Sequence, residues 1–178
     1  MDIITPQLIL VSGIGSNKLF FISVVLFAVS FLIYKRYLKD ALYTAISAFS
    51  YFLDVLLKEL FRSPRPFTTA LDFSFMDSGY GFPSGHTMVY TVFFGYIIYL
   101  MLKLKKLNKT LRLVVGVIAS YLVILIGASR VVLGFHYTKD VIGGYIFGII
   151  YLTVLIFLDR NLQAGFRLKK SHNSSTKN

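Results

Sequence analysis

The sequence predicts an all-α membrane protein, a polytopic bundle of five transmembrane helices with an interfacial segment at its N-terminus. Of its 178 residues, 56% are hydrophobic and only 15% are charged, whereas about a quarter of the residues of a soluble domain are charged. Crossing about 30 Å of hydrocarbon takes roughly 20 helical residues, with a lower limit near 17. Five apolar runs meet or approach that length, at about 17–34, 41–61, 87–102, 113–133 and 141–158.

The two ends of the chain differ from these runs. Residues 3–16 are apolar but are interrupted by a proline and two glycines, which predicts an interfacial helix and turn rather than a sixth span. The length supports one domain, residues 1–170. The polar residues 171–178 are expected to form a disordered cytoplasmic tail.

Glycines in the fifth run indicate tight helix packing. Gly144 and Gly148 form a small-xxx-small pair, and Gly143 precedes them. Such pairs let two helices approach closely in a membrane. We expect the partner to be another helix of the same chain rather than a second copy.

Lysine and arginine predict how the bundle is oriented, because positively charged loops stay on the cytoplasmic side of a membrane. Thirteen of the 19 basic residues flank the apolar runs at one end of the bundle. They are Lys35, Arg36, Lys39, Lys103, Lys105, Lys106, Lys109, Arg112, Arg160, Arg167, Lys169, Lys170 and Lys177. An odd number of spans then puts the N-terminus outside the cell membrane and the C-terminus in the cytoplasm.

The net charge of +11 does not indicate a nucleic-acid-binding protein, since such a protein needs a solvated basic face on a chain that is not mostly apolar. Five further basic residues lie in loops that face outward, where the orientation rule gives no reason for positive charge. These are Lys58, Arg62, Arg65, Arg130 and Lys139. A different requirement must hold them there.

The first three of these residues follow one another at the end of the second run. Lysine and arginine side chains that share one concavity repel each other unless a polyanion joins them, which predicts a phosphate site. The alternative is a solvated loop end with Asp54 and Glu59 as ionic partners. Asp54 precedes Lys58 by one helical turn, and we expect the two to pair.

The tetrapeptide Pro83-Ser84-Gly85-His86 stands directly before the third run. If a helix begins here, the serine hydroxyl and the free backbone amides of the first turn point at one spot, and Gly85 lets an anion approach closely. His86 then lies beside that anion. The alternative is a serine that caps the helix and an ordinary interfacial histidine.

A third cluster surrounds the start of the fifth run. His136 and Asp140 are four residues apart, so on a helix their side chains share a face and the carboxylate can hold one imidazole nitrogen. The other nitrogen is then free to act as a nucleophile or base. Arg130, preceded by Ser129, offers a bidentate phosphate ligand. The alternative is a structural His–Asp pair with an interfacial arginine.

All three clusters lie on the same predicted face of the bundle although they are far apart in sequence. Together they supply two histidines, a carboxylate, several cations and a helix N-terminus, which suits phosphoryl transfer through a phosphohistidine. A zinc ion beside Lys58, Arg65 and Arg130 would cost Coulomb energy that one carboxylate hardly offsets. We therefore expect no metal and no other cofactor.

The connection that carries the first two clusters, residues 62–86, is long, and long loops tend to be functional or disordered. Its phenylalanines are Phe67, Phe73, Phe75 and Phe82. They favour a part that packs at the membrane interface or against an acyl chain. A lipid could then reach the site while its tail remains in the bilayer.

These residues and spacings resemble the type-2 phosphatidic acid phosphatase superfamily of membrane lipid phosphatases. Its first motif is Lys, six residues, then Arg-Pro; its second is Pro-Ser-Gly-His; its third is Ser-Arg, five residues, His, three residues, Asp. The matching residues are Lys58, Arg65, Pro66, Pro83, Ser84, Gly85, His86, Ser129, Arg130, His136 and Asp140. The similarity spans roughly residues 58–140 and the flanking helices.

The resemblance implies a metal-independent phosphatase in which His136 is the nucleophile, Asp140 orients it and His86 protonates the leaving group. It also implies a set of groups that bind the phosphoryl oxygens. They are Lys58, Arg65, Ser84, the Gly85 amide and Arg130. Membrane members of the superfamily often have six spans, so with five either the fold is reduced or residues 3–16 partly re-enter the membrane.

We expect a polyprenyl diphosphate carrier lipid as the substrate, since many short members of the superfamily act on such lipids. Phosphatidic acid and phosphatidylglycerophosphate are the close alternatives, because the motifs recognise the phosphate rather than the tail. A protein of another class, which binds or transports phospholipid without cleaving it, would use the same phosphate site.

Overall fold

The protein is all-helical in the computed structural model, which describes residues 4–66 and 79–175. Seven helices and no strand occur in this part of the chain. They are α1 (Ile4–Ser16), α2 (Lys18–Tyr34), α3 (Leu38–Ala48), α4 (Ser50–Phe61), α5 (Gly85–Lys103), α6 (Lys109–Val132) and α7 (Thr138–Ser175). The predicted fold class is confirmed.

Four stretches within the described ranges are long and apolar enough to cross a membrane. They are Leu38–Phe61, which combines α3 and α4, then Gly85–Lys103, Lys109–Val132 and Thr138–Asn161. The first predicted run coincides with α2. This helix is long and apolar enough to cross a membrane only when it is combined with α1, and the angle between the two helices is 75°. The five predicted spans match the upper count, in which this bent pair is one broken span.

The second predicted span is broken at Phe49, where α3 ends and α4 begins. The Phe49 N–H donates to the carbonyl of Ile46, and the Phe52 N–H donates to that of Phe49, each at 3.0 Å. These bonds join residues three apart, so this turn is tighter than an α-helix. The Ser47 hydroxyl also donates back to the Thr44 carbonyl, a contact that bends helices.

Helix α5 lies at the centre of the bundle and packs against α3, α4, α6 and α7. Two glycines of α7 face it. An added Cβ at Gly144 would lie 2.7 Å from the carbonyl oxygen of Ser84, and one at Gly148 would lie 2.9 Å from Cβ of Thr91. Side chains have no room at either position, so the predicted close approach to another helix of the same chain is confirmed.

The N-terminal segment is part of the bundle rather than a helix lying only at its surface. Leu8 and Ser12 of α1 are buried, because this helix packs against α6. The hydroxyl of Tyr121, in the middle of α6, donates to Oε1 of Gln7 at 2.6 Å. Pro6 lies in the first turn of α1, where a helix tolerates proline. Helix α1 therefore lies within the bundle beside α6, and its position relative to the membrane stays a prediction.

A buried ionic cluster ties α3, α5 and α7 together at the end of the bundle where α5 ends. The ammonium of Lys103 contacts the carboxylates of Asp40 and Asp159. Lys39 lies 3.3 Å from Asp159, and the Tyr99 hydroxyl donates to the same carboxylate at 2.8 Å. Both lysines thus have a packing role that charge distribution alone did not predict.

Helix α7 continues past the fifth predicted run as far as Ser175. The predicted disordered tail, residues 171–178, has helical backbone up to that residue, and residues 176–178 lie outside the described part. The division into one domain, residues 1–170, and a disordered tail stays a prediction.

Candidate active site

The first predicted cluster is built on the end of α4. Lys58 lies in the last turn of α4 and is buried, and its Nζ is 3.2 Å from Oδ2 of Asp54. The predicted pairing of these two residues is confirmed. Helix α4 ends at Phe61, and the left-handed backbone of the next residue, Arg62 (φ 46°), turns the chain. Arg65 follows, and its Nε donates to the carbonyl of Tyr80 at 3.3 Å.

Arg62 does not join this cluster. Its side chain is 69% exposed and pairs with Glu59 of the same helix at 4.0 Å. An exposed pair of this kind contributes little to stability. The prediction that three cations group at the end of α4 is therefore wrong for Arg62. The two cations that remain beside the site are Lys58 and Arg65.

The second predicted cluster opens α5, and its serine does not cap the helix. Ser84 occupies the N-cap position, but its side chain makes no hydrogen bond to a helix amide. Its Oγ instead accepts a hydrogen bond from the Thr87 hydroxyl at 3.0 Å. The predicted alternative of a capping serine is therefore wrong, because the Ser84 side chain bonds none of the first-turn amides of α5.

The glycine of this cluster has a different role from the one expected. A Cβ at Gly85 would lie 2.4 Å from Oδ2 of Asp54. The group that approaches Gly85 closely is therefore the Asp54 carboxylate of the protein itself. Asp54 contacts both Lys58 and the start of α5, where the helix dipole favours negative charge.

The third predicted cluster joins α6 to α7. Arg130, in the last turn of α6, is fully buried, and its carbonyl accepts hydrogen bonds from the N–H groups of Phe135 and His136. Nδ1 of His136 lies 3.5 Å from Oδ2 of Asp140, which also accepts from the Tyr137 N–H at 3.0 Å. We expected this pair on one helix, but His136 precedes α7 and lies in the turn.

Backbone hydrogen bonds hold the three clusters together. The Ser84 N–H donates to the carbonyl of Asp140 at 2.9 Å, and the Gly81 N–H donates to that of Ser63 at 2.7 Å. A Cβ at Gly81 would lie 3.1 Å from Oδ2 of Asp140 and 3.3 Å from Cγ of Arg65. The three sequence motifs therefore meet at one end of the bundle, which we call the site end.

His86 lies in the first turn of α5 and faces the other two clusters. Its electrostatic neighbours are Lys58, Arg65, Arg130 and His136. All of the predicted site residues are thereby brought into one neighbourhood.

Burial lowers the pKa of the His136 imidazole; the Asp140 carboxylate opposes this effect, and the Arg130 guanidinium reinforces it. The net shift favours the neutral ring at neutral pH. Because Asp140 lies on the Nδ1 side, the lone pair at Nε2 is the one suited to attack an electrophile. A 3.5 Å separation exceeds a normal hydrogen bond, and such contacts commonly shorten when substrate binds.

No three His, Cys, Asp or Glu side chains converge to form a metal site anywhere in residues 4–66 or 79–175. The two histidines and Asp140 are surrounded by lysine and arginine, which disfavours a divalent cation. Metal-free chemistry stays an expectation.

Part of the predicted aromatic loop lies outside the described residues, including Phe67, Phe73 and Phe75. Phe82 is described. Its ring packs on Phe61 and Phe147, with centroids 4.9 and 6.3 Å away, and it occupies the space over Gly143.

Ser12 was missed by the sequence reasoning. Its Oγ accepts a hydrogen bond from Nη1 of Arg130 at 3.0 Å. Nothing in the local sequence marks this serine, because its partner is 118 residues away. Only the fold brings α1 to the site.

A membrane bundle with a His–Asp pair, a second histidine and clustered cations at one end has the fold and site of a phosphate-ester hydrolase. The sequence model of the PAP2 superfamily matches residues 39–163, which include all three motifs. The chain therefore belongs to the PAP2 superfamily. It is an integral membrane lipid phosphatase.

Two curated relatives support this assignment. Phosphatidylglycerophosphatase B of Bacillus subtilis (strain 168) is 28% identical over 165 residues, covering 89% of this chain and 76% of that protein. Lipid phosphate phosphatase delta of Arabidopsis thaliana is 28% identical over 127 residues, covering 67% of this chain but only 30% of that protein.

A solved structure shares the fold. The crystal structure of the first transmembrane PAP2 type phosphatidylglycerolphosphate phosphatase from Bacillus subtilis superposes with a TM-score of 0.74. The two chains are 24% identical, and the match covers 90% of this chain and 79% of that one.

The contact between Asp54 and Gly85 predicts that Gly85→Ala is harmful. The added methyl group would overlap a buried carboxylate, and overpacking of this kind costs about 1–3 kcal/mol. We expect the unfolding midpoint in detergent to fall by several degrees and phosphate release to fall with it. Gly116→Ala in α6 is the control, because its Cβ would lie 4.0 Å from Cβ of Met101. Equal midpoints and rates in the two variants would contradict the contact.

Proposed function

We propose that the chain removes the phosphate monoester of phosphatidylglycerophosphate, or of a closely related glycerophospholipid, through a phosphohistidine intermediate. The polyprenyl diphosphate expected from the sequence is the less favoured substrate. A relative that covers 89% of this chain is named phosphatidylglycerophosphatase B, which supports phosphatidylglycerophosphate as the alternative substrate. The observation that carries the proposed mechanism is the meeting of the His136–Asp140 pair with three basic residues at the site end.

In the proposed reaction, cations hold the phosphoryl group. Lys58, Arg65 and Arg130 surround it, and arginine can bind two oxygens at once through its planar fork. The Ser84 hydroxyl and the Gly85 N–H add neutral donors at the start of α5. These groups would stabilise the charge on the equatorial oxygens in the transition state.

The covalent chemistry uses both histidines. Nε2 of His136 attacks phosphorus while Asp140 holds the proton on Nδ1, and the bond between phosphorus and the lipid oxygen breaks. His86 gives its proton to that oxygen, which leaves as the lipid alcohol. A water molecule then attacks the phosphohistidine, His86 takes a proton from the water, and phosphate leaves with His136 restored.

We also propose that the site end faces the outside of the cell membrane and that the C-terminus lies in the cytoplasm. Lys39 and Lys103 pair with buried carboxylates, so they count less towards orientation than unpaired surface charges would. Exposed basic residues still concentrate at the end opposite the site. They are Lys35, Arg36, Lys105, Lys106, Lys109 and Arg160.

The substrate and the nucleophile are tested together by phosphate release from a panel of lipids in single-turnover mixtures. We expect phosphatidylglycerophosphate to react fastest, and phosphatidic acid to react faster than a polyprenyl diphosphate. His136→Ala should lower the rate by at least about a thousandfold, as removal of a catalytic nucleophile does. The phosphohistidine proposal would be wrong if His136→Ala released phosphate as fast as the parent. If a polyprenyl diphosphate reacted fastest, only the proposed substrate would be wrong.

The orientation is tested by cysteine labelling, because the chain contains no cysteine. Arg62→Cys places a thiol at the site end, on a side chain outside the site. Lys106→Cys places one at the opposite end. A membrane-impermeant maleimide on intact cells should label the first variant and spare the second until the cells are lysed. The reverse pattern would invert the proposed orientation.

A further inference from the structure

We propose that Ser12 of α1 is a positioning residue that fixes the guanidinium of Arg130 in the phosphate site. The inference rests on the proposed function and deepens it, because it adds the N-terminal helix to the catalytic machinery. It starts from the hydrogen bond between Nη1 of Arg130 and Oγ of Ser12, at 3.0 Å.

The placement of Ser12 is determined by packing on both sides. Val11 is buried against Tyr90 of α5 and Ile126 of α6, while its neighbour Leu10 is 64% exposed. One face of α1 therefore fills the space between α5 and α6. Because α1 is held in this way, the hydroxyl of Ser12 is presented to the last turn of α6 at a fixed point.

Arg130 needs such a contact because its side chain is long and fully buried. The ring of Phe135 covers one face of the guanidinium, with 4.1 Å between Cζ and the ring centroid. Stacking limits the plane of the group, and the hydrogen bond from Nη1 to Ser12 adds a fixed direction within that plane. The remaining N–H groups can then be directed to a phosphoryl group.

The chemistry of the acceptor matters as well as its position. A hydroxyl accepts a hydrogen bond without bringing a negative charge, so the contact with Ser12 orients the guanidinium without neutralising it. The contact at Lys58 differs, because it is made with the carboxylate of Asp54.

The first test compares Ser12→Ala and Ser12→Thr in the full-length protein in detergent micelles. Loss of a hydrogen bond to a charged group should lower kcat/KM for the lipid about tenfold. The inhibition constant of vanadate, a transition-state analogue, should rise by a similar factor. Ser12→Thr keeps the hydroxyl and should stay within about twofold of the parent. Ser23→Ala is the matched control, because that exposed hydroxyl donates to the Leu19 carbonyl of its own helix.

A double-mutant cycle tests whether Ser12 acts through Arg130. In the Arg130→Lys background, Ser12→Ala should change vanadate binding much less than tenfold, because the guanidinium that it orients is gone. Vanadate binding is read as the rise in unfolding midpoint that vanadate causes, so the cycle does not depend on turnover. Multiplicative effects of the two substitutions would overturn the proposal.

The remaining outcomes also decide the matter. Ser12→Ala that matches Ser23→Ala in kcat/KM and in vanadate inhibition would overturn the positioning role. The role would also be overturned if, without vanadate, Ser12→Ala lowered the unfolding midpoint and Ser12→Thr lowered it equally. A residue that matters only for packing would give that pattern. Failure of the proposed function looks different: His136→Ala would then keep its activity whatever the Ser12 variants do.

Discussion

Positive charge collected in a buried site is the constraint on which the rest of this structure depends. Lys58, Arg65 and Arg130 lie near one another at the site end, in surroundings where like charges repel strongly. The protein offsets this repulsion with individual carboxylates. Asp54 pairs with the lysine, and Asp140 lies beside the nucleophile candidate. In the proposed function, the phosphate of a lipid would complete this charge balance.

The close packing of helix backbones supports this arrangement of charges. Glycines on α7 let it approach α5, and the Ser84 N–H bonds directly to the carbonyl of Asp140. As a result the second and third motifs cannot separate without breaking the central helix pair. The ionic cluster around Asp159 ties the same two helices at the opposite end of the bundle, so α5 is held against α7 at both of its ends.

Much of the site could be predicted because its signals are local. The spacing between His136 and Asp140, and between Asp54 and Lys58, is that of one helical turn, and both pairs are present. Contacts between distant parts of the chain carry no such signal. The Ser12–Arg130 bond and the partners of Asp159 depend on which helices pack together. The break at Phe49 was also missed, since an apolar run does not reveal a tight turn inside it.

The most direct test of the central claim, that the three motifs form one phosphate site around His136, is a structure of the protein with vanadate. We expect vanadium to be bonded to Nε2 of His136, with its oxygens held by Lys58, Arg65 and Arg130. His86 should lie on the opposite side, near the oxygen that replaces the leaving group. Vanadate bonded to His86, or held by the cations away from His136, would contradict it.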